Sequence, residues 1–450
     1  MRNKQFLLLK LLFIAWGIGI YILIFKHPYS QSKKEGNSQN SPDIHLQVSK
    51  LEAELKEQSE FYNALLDKLR NLKKYREESQ LKDNLPSQND IDKINKESGN
   101  SVLTEGPVLP ILIIACNREA AIRRSLNLLL KYRPSQERFP IIVSQDCGHG
   151  PTKKAILSFG NQISLIEQPD LSIIEVPLKE KKFRGYFMIA RHYKWALNQI
   201  FHKYNYETAI IVEDDLDIAP DFYEYFAATY PLLKTDPTLY CVSAWNDNGK
   251  NGLIDADGGH TKLYRTDFFP GLGWMLTKDL WGELGPKWPR SYWDDWIRAK
   301  DQRQGRACIR PEISRTRTFG KKGVSNGLFY EKYLKYIHLN TEETEFTKLD
   351  LSYLRKENYD QNFRKEVQRS QVVSLADVKS GRLAENVSYR LIYHTKENFK
   401  MITKALGLMD DFKAGVPRTG YEGVVSFFYN RRRIYLSPSN NWKGYDPTWS

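Results

Sequence analysis

An α/β body built on a mostly parallel sheet flanked by helices, with a small C-terminal domain and a membrane anchor and stem ahead of it, is the architecture this sequence predicts. Three observations predict it. From Pro107 onward, short apolar runs of strand type alternate with stretches of helical spacing, the pattern of parallel strands joined by crossover helices. Polar residues recur just past the strand ends, at Arg118, Asp146 and Glu213 to Asp215, along the edge where open α/β sheets take their ligands. Ahead of that body, Phe6 to Phe25 is almost wholly apolar and is followed by a polar stretch.

Twenty residues at about 1.5 Å rise match a hydrocarbon core about 30 Å thick. Lys10, the one charge in the run, lies near enough to its end to snorkel. No short apolar region with a small-residue cleavage site is visible, so the segment reads as an uncleaved anchor rather than a signal peptide. Basic residues flank it on both sides (Arg2 and Lys4, then Lys26, Lys33 and Lys34), and the positive-inside bias does not decide orientation. The division is a tail at 1–5, the anchor at 6–25, a stem at 26–106, a catalytic region at 107–349 and a C-terminal domain at 350–450. Leu51, Leu55, Leu65, Leu69 and Leu72 place an irregular apolar stripe on the stem, which suits self-association through stem or anchor and equally a solvated single helix.

In the body, residues 107–115 form the first expected strand and 119–132 a helix carrying Ile122, Leu126 and Leu130 on one face. Strands follow at 139–144 and 163–166, a helix at 187–202, and a strand at 208–212 that runs into the acids. Further on, 397–406 reads as a helix, and 421–435 as strands joined by a turn near Arg431, Arg432 and Arg433. No glycine-rich dinucleotide or P-loop motif follows the first strand.

The chain has 450 residues and a net charge of +13, but its basic residues are spread among acids, without the basic, aromatic-interleaved tract of a nucleic-acid binder. Four cysteines, Cys116, Cys147, Cys241 and Cys308, contain no CxxC pair, which argues against zinc. In a secretory compartment they read as two disulfides with three possible connectivities, and in the cytosol as buried thiols. They and the sequon Asn386-Val387-Ser388 favour a lumenal body.

Glu213, Asp214 and Asp215 end an apolar strand. Adjacent carboxylates repel, and a divalent metal holding a nucleotide diphosphate would offset them, although acids also mark ordinary helix starts. Arg118 could contact a phosphate or base, and Asp146 a uracil or ribose donor; a surface ion pair or a cap is the plainer reading of each. Asp294 and Asp295 sit among Trp288, Tyr292, Trp293 and Trp296. Apolar neighbours and a second carboxylate raise a carboxyl pKa, the condition of a general base, and helix-capping acids beside core aromatics are the alternative. Gly320 to Gly327, with three glycines, Lys321, Lys322 and Ser325, reads as a lid for a diphosphate that closes before the acceptor binds, or as a mobile surface loop.

Taken in order, IIACNR (113–118), VSQDCGHG (143–150), IARHYKWALNQIF (189–201), VEDDLDIAPDFYEYF (212–226), PKWPRSYWDDWIR (286–298) and RPEISRTRTFGKKGVSNG (310–327) resemble the N-acetylglucosaminyltransferase I family. The likeness runs from about residue 108 to the C terminus. The resemblance implies a GT-A-like fold, UDP-N-acetylglucosamine (UDP-GlcNAc) as donor, and Mn2+ as cofactor. It implies inverting transfer to the 2-hydroxyl of the α1,3-arm mannose of a high-mannose N-glycan, by a type II protein of the Golgi membrane. Carried over, Asp215 is the metal ligand, and Glu213 and Asp214 contact donor sugar and ribose. Arg118, Asp146 and His192 line the nucleotide, Ser325 touches the diphosphate, and Asp294 is the base, with Asp295 the alternative from the residues alone. The cysteines would pair as Cys116–Cys147 and Cys241–Cys308. Two other readings stand beside this one: transfer of the same sugar to O-linked mannose on protein, and a non-catalytic Golgi lectin or scaffold that needs none of these acids.

Overall fold

The computed structural model describes residues 101–321 and 327–449; the expected anchor, the stem as far as residue 100, and Ser325 lie outside the described residues. Among the described residues no helix is long and apolar enough to cross a membrane. The strands of the first two-thirds are β1 (Ile111–Ala115), β2 (Ile141–Gln145), β3 (Ser164–Glu167), β4 (Thr208–Glu213), β5 (Leu216–Ile218), β6 (Leu239–Ser243), β7 (Leu263–Thr266), β8 (Trp274–Thr277), β9 (Ala307–Pro311) and β10 (Thr316–Thr318). Eight of them make one sheet in the order β3-β2-β1-β4-β8-β6-β9-β7.

Alternation along the central strands sorts the core into two layers. Ile111, Ile113, Ile210 and Val212 pack in one cluster with Ile122, Leu126 and Leu129 of the Glu119–Tyr132 helix. Leu112, Ile114, Ala209 and Ile211 pack in the other, with Ala190, Tyr193, Ala196 and Leu197 of the Arg184–Asn198 helix. A strand buried on both faces reads as a continuous apolar run, which is why these segments show no polar alternation in the sequence. Each buried Ile, Leu or Val among them contributes about 1.5–3 kcal/mol of transfer free energy.

The sheet is parallel through β3, β2, β1 and β4 and then mixed, with β8 antiparallel to both β4 and β6, and β7 antiparallel to β9. The first strand starts later than its apolar run, at Ile111, because Pro107 and Pro110 offer no N–H to a ladder. The helix expected at 187–202 starts three residues earlier and ends in a wider turn over Gln199–Lys203.

A small antiparallel ribbon sits at the carboxyl edge of the sheet. β5 follows the acids directly, and β10 pairs with it, Thr318 opposite Leu216. Arg315, fully buried beside β10, pairs with buried Asp221 (Nη2 to Oδ2, 3.0 Å), and Arg124 grips Asp217 of β5 with two bonds of 2.7 and 2.6 Å. Removing one partner of a pair as deep as Arg315–Asp221 costs about 3–5 kcal/mol. The ribbon therefore has a fixed position under the acids.

The C-terminal segment adds β11 (Gln371–Val372), β12 (Tyr389–Tyr393), β13 (Phe412–Lys413), β14 (Val416–Pro417), β15 (Val425–Tyr429) and β16 (Arg432–Pro438). A four-stranded sheet, β11-β12-β16-β15, packs on the Lys396–Leu406 helix. The hairpin turn falls at Asn430 and Arg431, both with positive φ, so Arg432 and Arg433 belong to the second strand and not to the expected turn. Tyr421 and Tyr435 join the same apolar cluster as the main sheet.

All four cysteines are paired, Cys116 with Cys147 and Cys241 with Cys308. The first pair ties the ends of β1 and β2; the second joins facing residues of β6 and β9. Opening the larger loop, 67 residues apart against 31, is expected to cost about 0.7 kcal/mol more in loop entropy. Urea titration of the two double Cys→Ser variants checks this: each should lose about 2–4 kcal/mol, with Cys241/Cys308 the larger loss.

Candidate active site

The expected donor-site residues outside the lid converge where β1, β2 and β4 end. Arg118 lies three residues past β1, Asp146 one past β2, and Glu213 to Asp215 close β4. Parallel register makes this possible: Ile114 lies opposite both Ser144 and Glu213. Together with His192 and Gly320 they line a cleft of about 720 Å³.

Asp214 and Asp215 are buried, and the Arg118 guanidinium spans them, Nη2 to Asp214 and Nη1 to Asp215 Oδ2 at 2.5 Å. Burial pushes the Asp214 carboxyl up to about 6, against the pull of Arg118. Burial and the neighbouring Asp215 charge push Glu213 up to about 7. The sequence suggested phosphate or base contacts for Arg118; here it neutralises the acids.

Three features test whether this site fits a divalent cation. Asp214 Oδ2 is buried without a hydrogen-bond partner. A Cβ on Gly320 would fall 1.9 Å from Asp215 Oδ2, so the root of the expected lid crosses directly over that carboxylate, fastened by the Phe319 N–H to Asp215 carbonyl bond of 3.0 Å. The donor set is hard oxygen, which suits Mn2+ or Mg2+. Among the described residues no three His, Cys, Asp or Glu side chains are grouped to hold a metal alone. The residues therefore fit a cation shared between one carboxylate and a ligand's own oxygens.

Asp146 Oδ1 accepts from the Cys147 N–H (2.8 Å), at a left-handed residue that turns the chain beside the disulfide. His192 is buried and hydrogen-bonded through Nε2 to Ser144 Oγ at 2.8 Å. Burial pushes its pKa down to about 4, with Asp146 opposing and Arg191 assisting, so the ring is neutral near pH 7.

Tyr193 escaped notice in the sequence. Successive helix residues project about 100° apart, so His192 meets β2 while Tyr193 turns to β4 and donates to Glu213 Oε1 at 3.0 Å. Burial first, then the charges of Glu213, Asp294 and Asp215, push its hydroxyl pKa well above the usual value. Tyr193 and Glu213 also line a second cleft of about 660 Å³, which contains Asp294 and Asp295. The two clefts thus share a wall.

The surroundings of Asp294 and Asp295 differ from the apolar setting expected. The tryptophans do stack beneath them, Trp288 and Trp274 on either side of Trp293 at 5.5 and 5.8 Å. Nevertheless the carboxylates reach a buried cation: Arg298 Nη1 donates to Asp294 Oδ2 (2.9 Å) and Asp295 Oδ1 (3.0 Å). Lys413 adds a bond to Asp295 Oδ2 at 3.0 Å. Helical i,i+4 and i,i+3 spacing could have flagged Arg298; Lys413, 118 residues away in sequence, had no local signal.

The model of the GNT-I family matches residues 9–449. A curated relative from Arabidopsis thaliana, named alpha-1,3-mannosyl-glycoprotein 2-beta-N-acetylglucosaminyltransferase, is 39% identical over 348 residues, 76% of this chain and 77% of that one. Among solved structures, S. aureus TarS in complex with UDP-GlcNAc covers 58% of this chain and 66% of its own, with 14% identity and a TM-score of 0.33. A mannosyltransferase from Pyrobaculum calidifontis, in complex with GDP-Man and Mn2+, covers 40% and 47%, with 15% identity and a TM-score of 0.27. Superpositions that loose say nothing about chemistry.

The depressed His192 pKa has a stability consequence. Between about pH 4 and 6.5 the folded ring binds fewer protons than the unfolded one, so stability falls as pH drops through that window. Glu213 and Asp214, with raised pKa values, act in the opposite sense. His192→Asn should therefore lose less stability than the parent on acidification from pH 7 to 4, the difference amounting to about 3 kcal/mol. Urea midpoints at several pH values measure it; parallel pH curves would contradict the assignment.

Proposed function

Because the chain belongs to the GNT-I family, we propose that it is an inverting glycosyltransferase with a GT-A-like catalytic region, moving N-acetylglucosamine from UDP-GlcNAc to the 2-hydroxyl of the α1,3-arm mannose of a high-mannose N-glycan. The observation that carries the reading is the pair of clefts on one wall: buried acids with a basic clamp in the first, a solvent-reachable acid pair in the second.

The first cleft is the donor seat in this reading. Arg118, Asp146 and His192 hold the uridine diphosphate, His192 as a neutral, oriented ring; Glu213 and Asp214 hold sugar and ribose. Asp215 is the residue that would hold Mn2+, which when bound would act as a Lewis acid on the departing diphosphate. No protein acid is then needed on the leaving side, and one in-line displacement gives inversion.

The second cleft receives the mannose. Asp294 takes the proton of the attacking hydroxyl as general base. Arg298 fixes the Asp294 rotamer through Oδ2, and Oδ1 makes no bond among the described residues. What supports Asp294 over Asp295 is that Asp295 is held by two cations, Arg298 and Lys413, one on each oxygen. Tyr193 holds Glu213 in the shared wall, so the donor sugar and the acceptor are positioned against one fixed feature. On this reading the apolar segment at 6–25 anchors the chain in the Golgi membrane as a type II protein with its body in the lumen.

Two substitutions separate the roles. Asp294→Asn is expected to lower kcat by about 10²–10⁴ while leaving UDP-GlcNAc affinity unchanged. Retained turnover with a mannose-terminated acceptor would refute the base. Asp215→Ala is expected to weaken Mn2+-dependent UDP-GlcNAc binding about tenfold or more, read by calorimetry with and without the metal; equal affinities would remove its assigned role.

A further inference from the structure

Asn386-Val387-Ser388 is the one Asn-x-Ser/Thr triplet in the 450-residue sequence. Asn386 lies exposed in the turn before β12, with φ +60°. Ser388, two residues on, lines a groove of about 610 Å³ that shares no lining residue with either catalytic cleft. The groove has an aromatic floor, including Tyr353, Tyr359 and Phe363, and a polar rim in which Asn362 and Glu366 stand with the charged Lys262, Asp350 and Arg433. Leu349, 39% exposed, stands at its lip.

We propose that Asn386 is N-glycosylated and that the first sugars of its glycan lie in this groove. The proposal rests on the lumenal placement inferred above. A floor of aromatic rings with a few amide and carboxylate groups at the edge matches the two sides of a pyranose: C–H faces on the rings, hydroxyl and acetamide groups at the rim. Two residues span at most about 7 Å of chain, so the groove lies within reach of the first sugars on Asn386. Its presence would cover Leu349, an apolar side chain otherwise left in water. The attachment balances simply. The Asn386 side-chain nitrogen forms a bond to C1 of an oligosaccharide carried on a lipid diphosphate, the C1–oxygen bond to the diphosphate breaks, and the amide proton leaves with the lipid diphosphate. The donor and its transferase belong to the secretory pathway.

The full-length chain, made in a secretory host, tests both halves. Intact mass before and after peptide N-glycosidase treatment should show one glycan, absent in Asn386→Gln and in Ser388→Ala. Seating in the groove is read by stability: Asn386→Gln should lower Tm by about 2 °C or more. Asn362→Ala, on the exposed rim, should destabilise the glycosylated protein and be silent in the Asn386→Gln background, a coupling that a purely structural role for Asn362 would not give. Protein without glycan overturns the modification. A glycan whose removal leaves Tm unchanged, and which does not couple to Asn362, overturns the seat. Transfer activity measured on the same samples should be unchanged by Asn386→Gln. An inactive but glycosylated parent would sink the transferase reading and leave this one standing.

Discussion

Three carboxylates at the end of one buried strand set the terms for the rest of this molecule. At an effective dielectric of about 20, two charges 4 Å apart repel by about 4 kcal/mol, and burial adds a desolvation cost. The protein meets this with one guanidinium, that of Arg118, laid across Asp214 and Asp215, and with the raised pKa values of Glu213 and Asp214. Under the proposed function, a ligand that brings its own cation would compete for the same oxygens, and Arg118 would give up part of its hold on Asp215 and turn to the phosphate charge arriving with it.

The fold keeps those acids in place from three sides. Parallel pairing puts the ends of β1, β2 and β4 level. The β5–β10 ribbon, pinned by Arg315–Asp221 and Arg124–Asp217, carries the root of the 320–327 loop over Asp215. From the other layer, one helix sends His192 to one strand end and Tyr193 to the next. Glu213, His192 and Tyr193 sit on a strand and a helix, and Arg118, Asp146, Asp214 and Asp215 follow within three residues of a strand end, close to the rigid elements that positional accuracy demands.

Much of this was legible in the residues. The apolar runs ending in Arg118, Asp146 and Glu213–Asp215 gave both the parallel half of the sheet and the edge where the site lies, because period and turn chemistry are local. The mixed half was not legible: β8 enters between β4 and β6 from 60 residues downstream of β4, and nothing in Trp274–Thr277 specifies its direction. The pairing of Arg118 with Asp214 and Asp215 was not legible either, because those acids lie 96 and 97 residues away. Of the cations around the acid pair, Arg298 stands within one helical turn of both, whereas Lys413, which bonds Asp295 from the C-terminal segment, was hidden for the same reason.

The crosslink between Cys116 and Cys147 lies two residues from Arg118 on one side and one from Asp146 on the other. It staples together the two turns that carry the proposed nucleotide contacts, not the sheet behind them. A copy of this chain ripening in a reducing environment would lose that brace along with part of its stability. Under the proposed function, the redox chemistry of the place where the chain matures would thus set how firmly the donor seat is held.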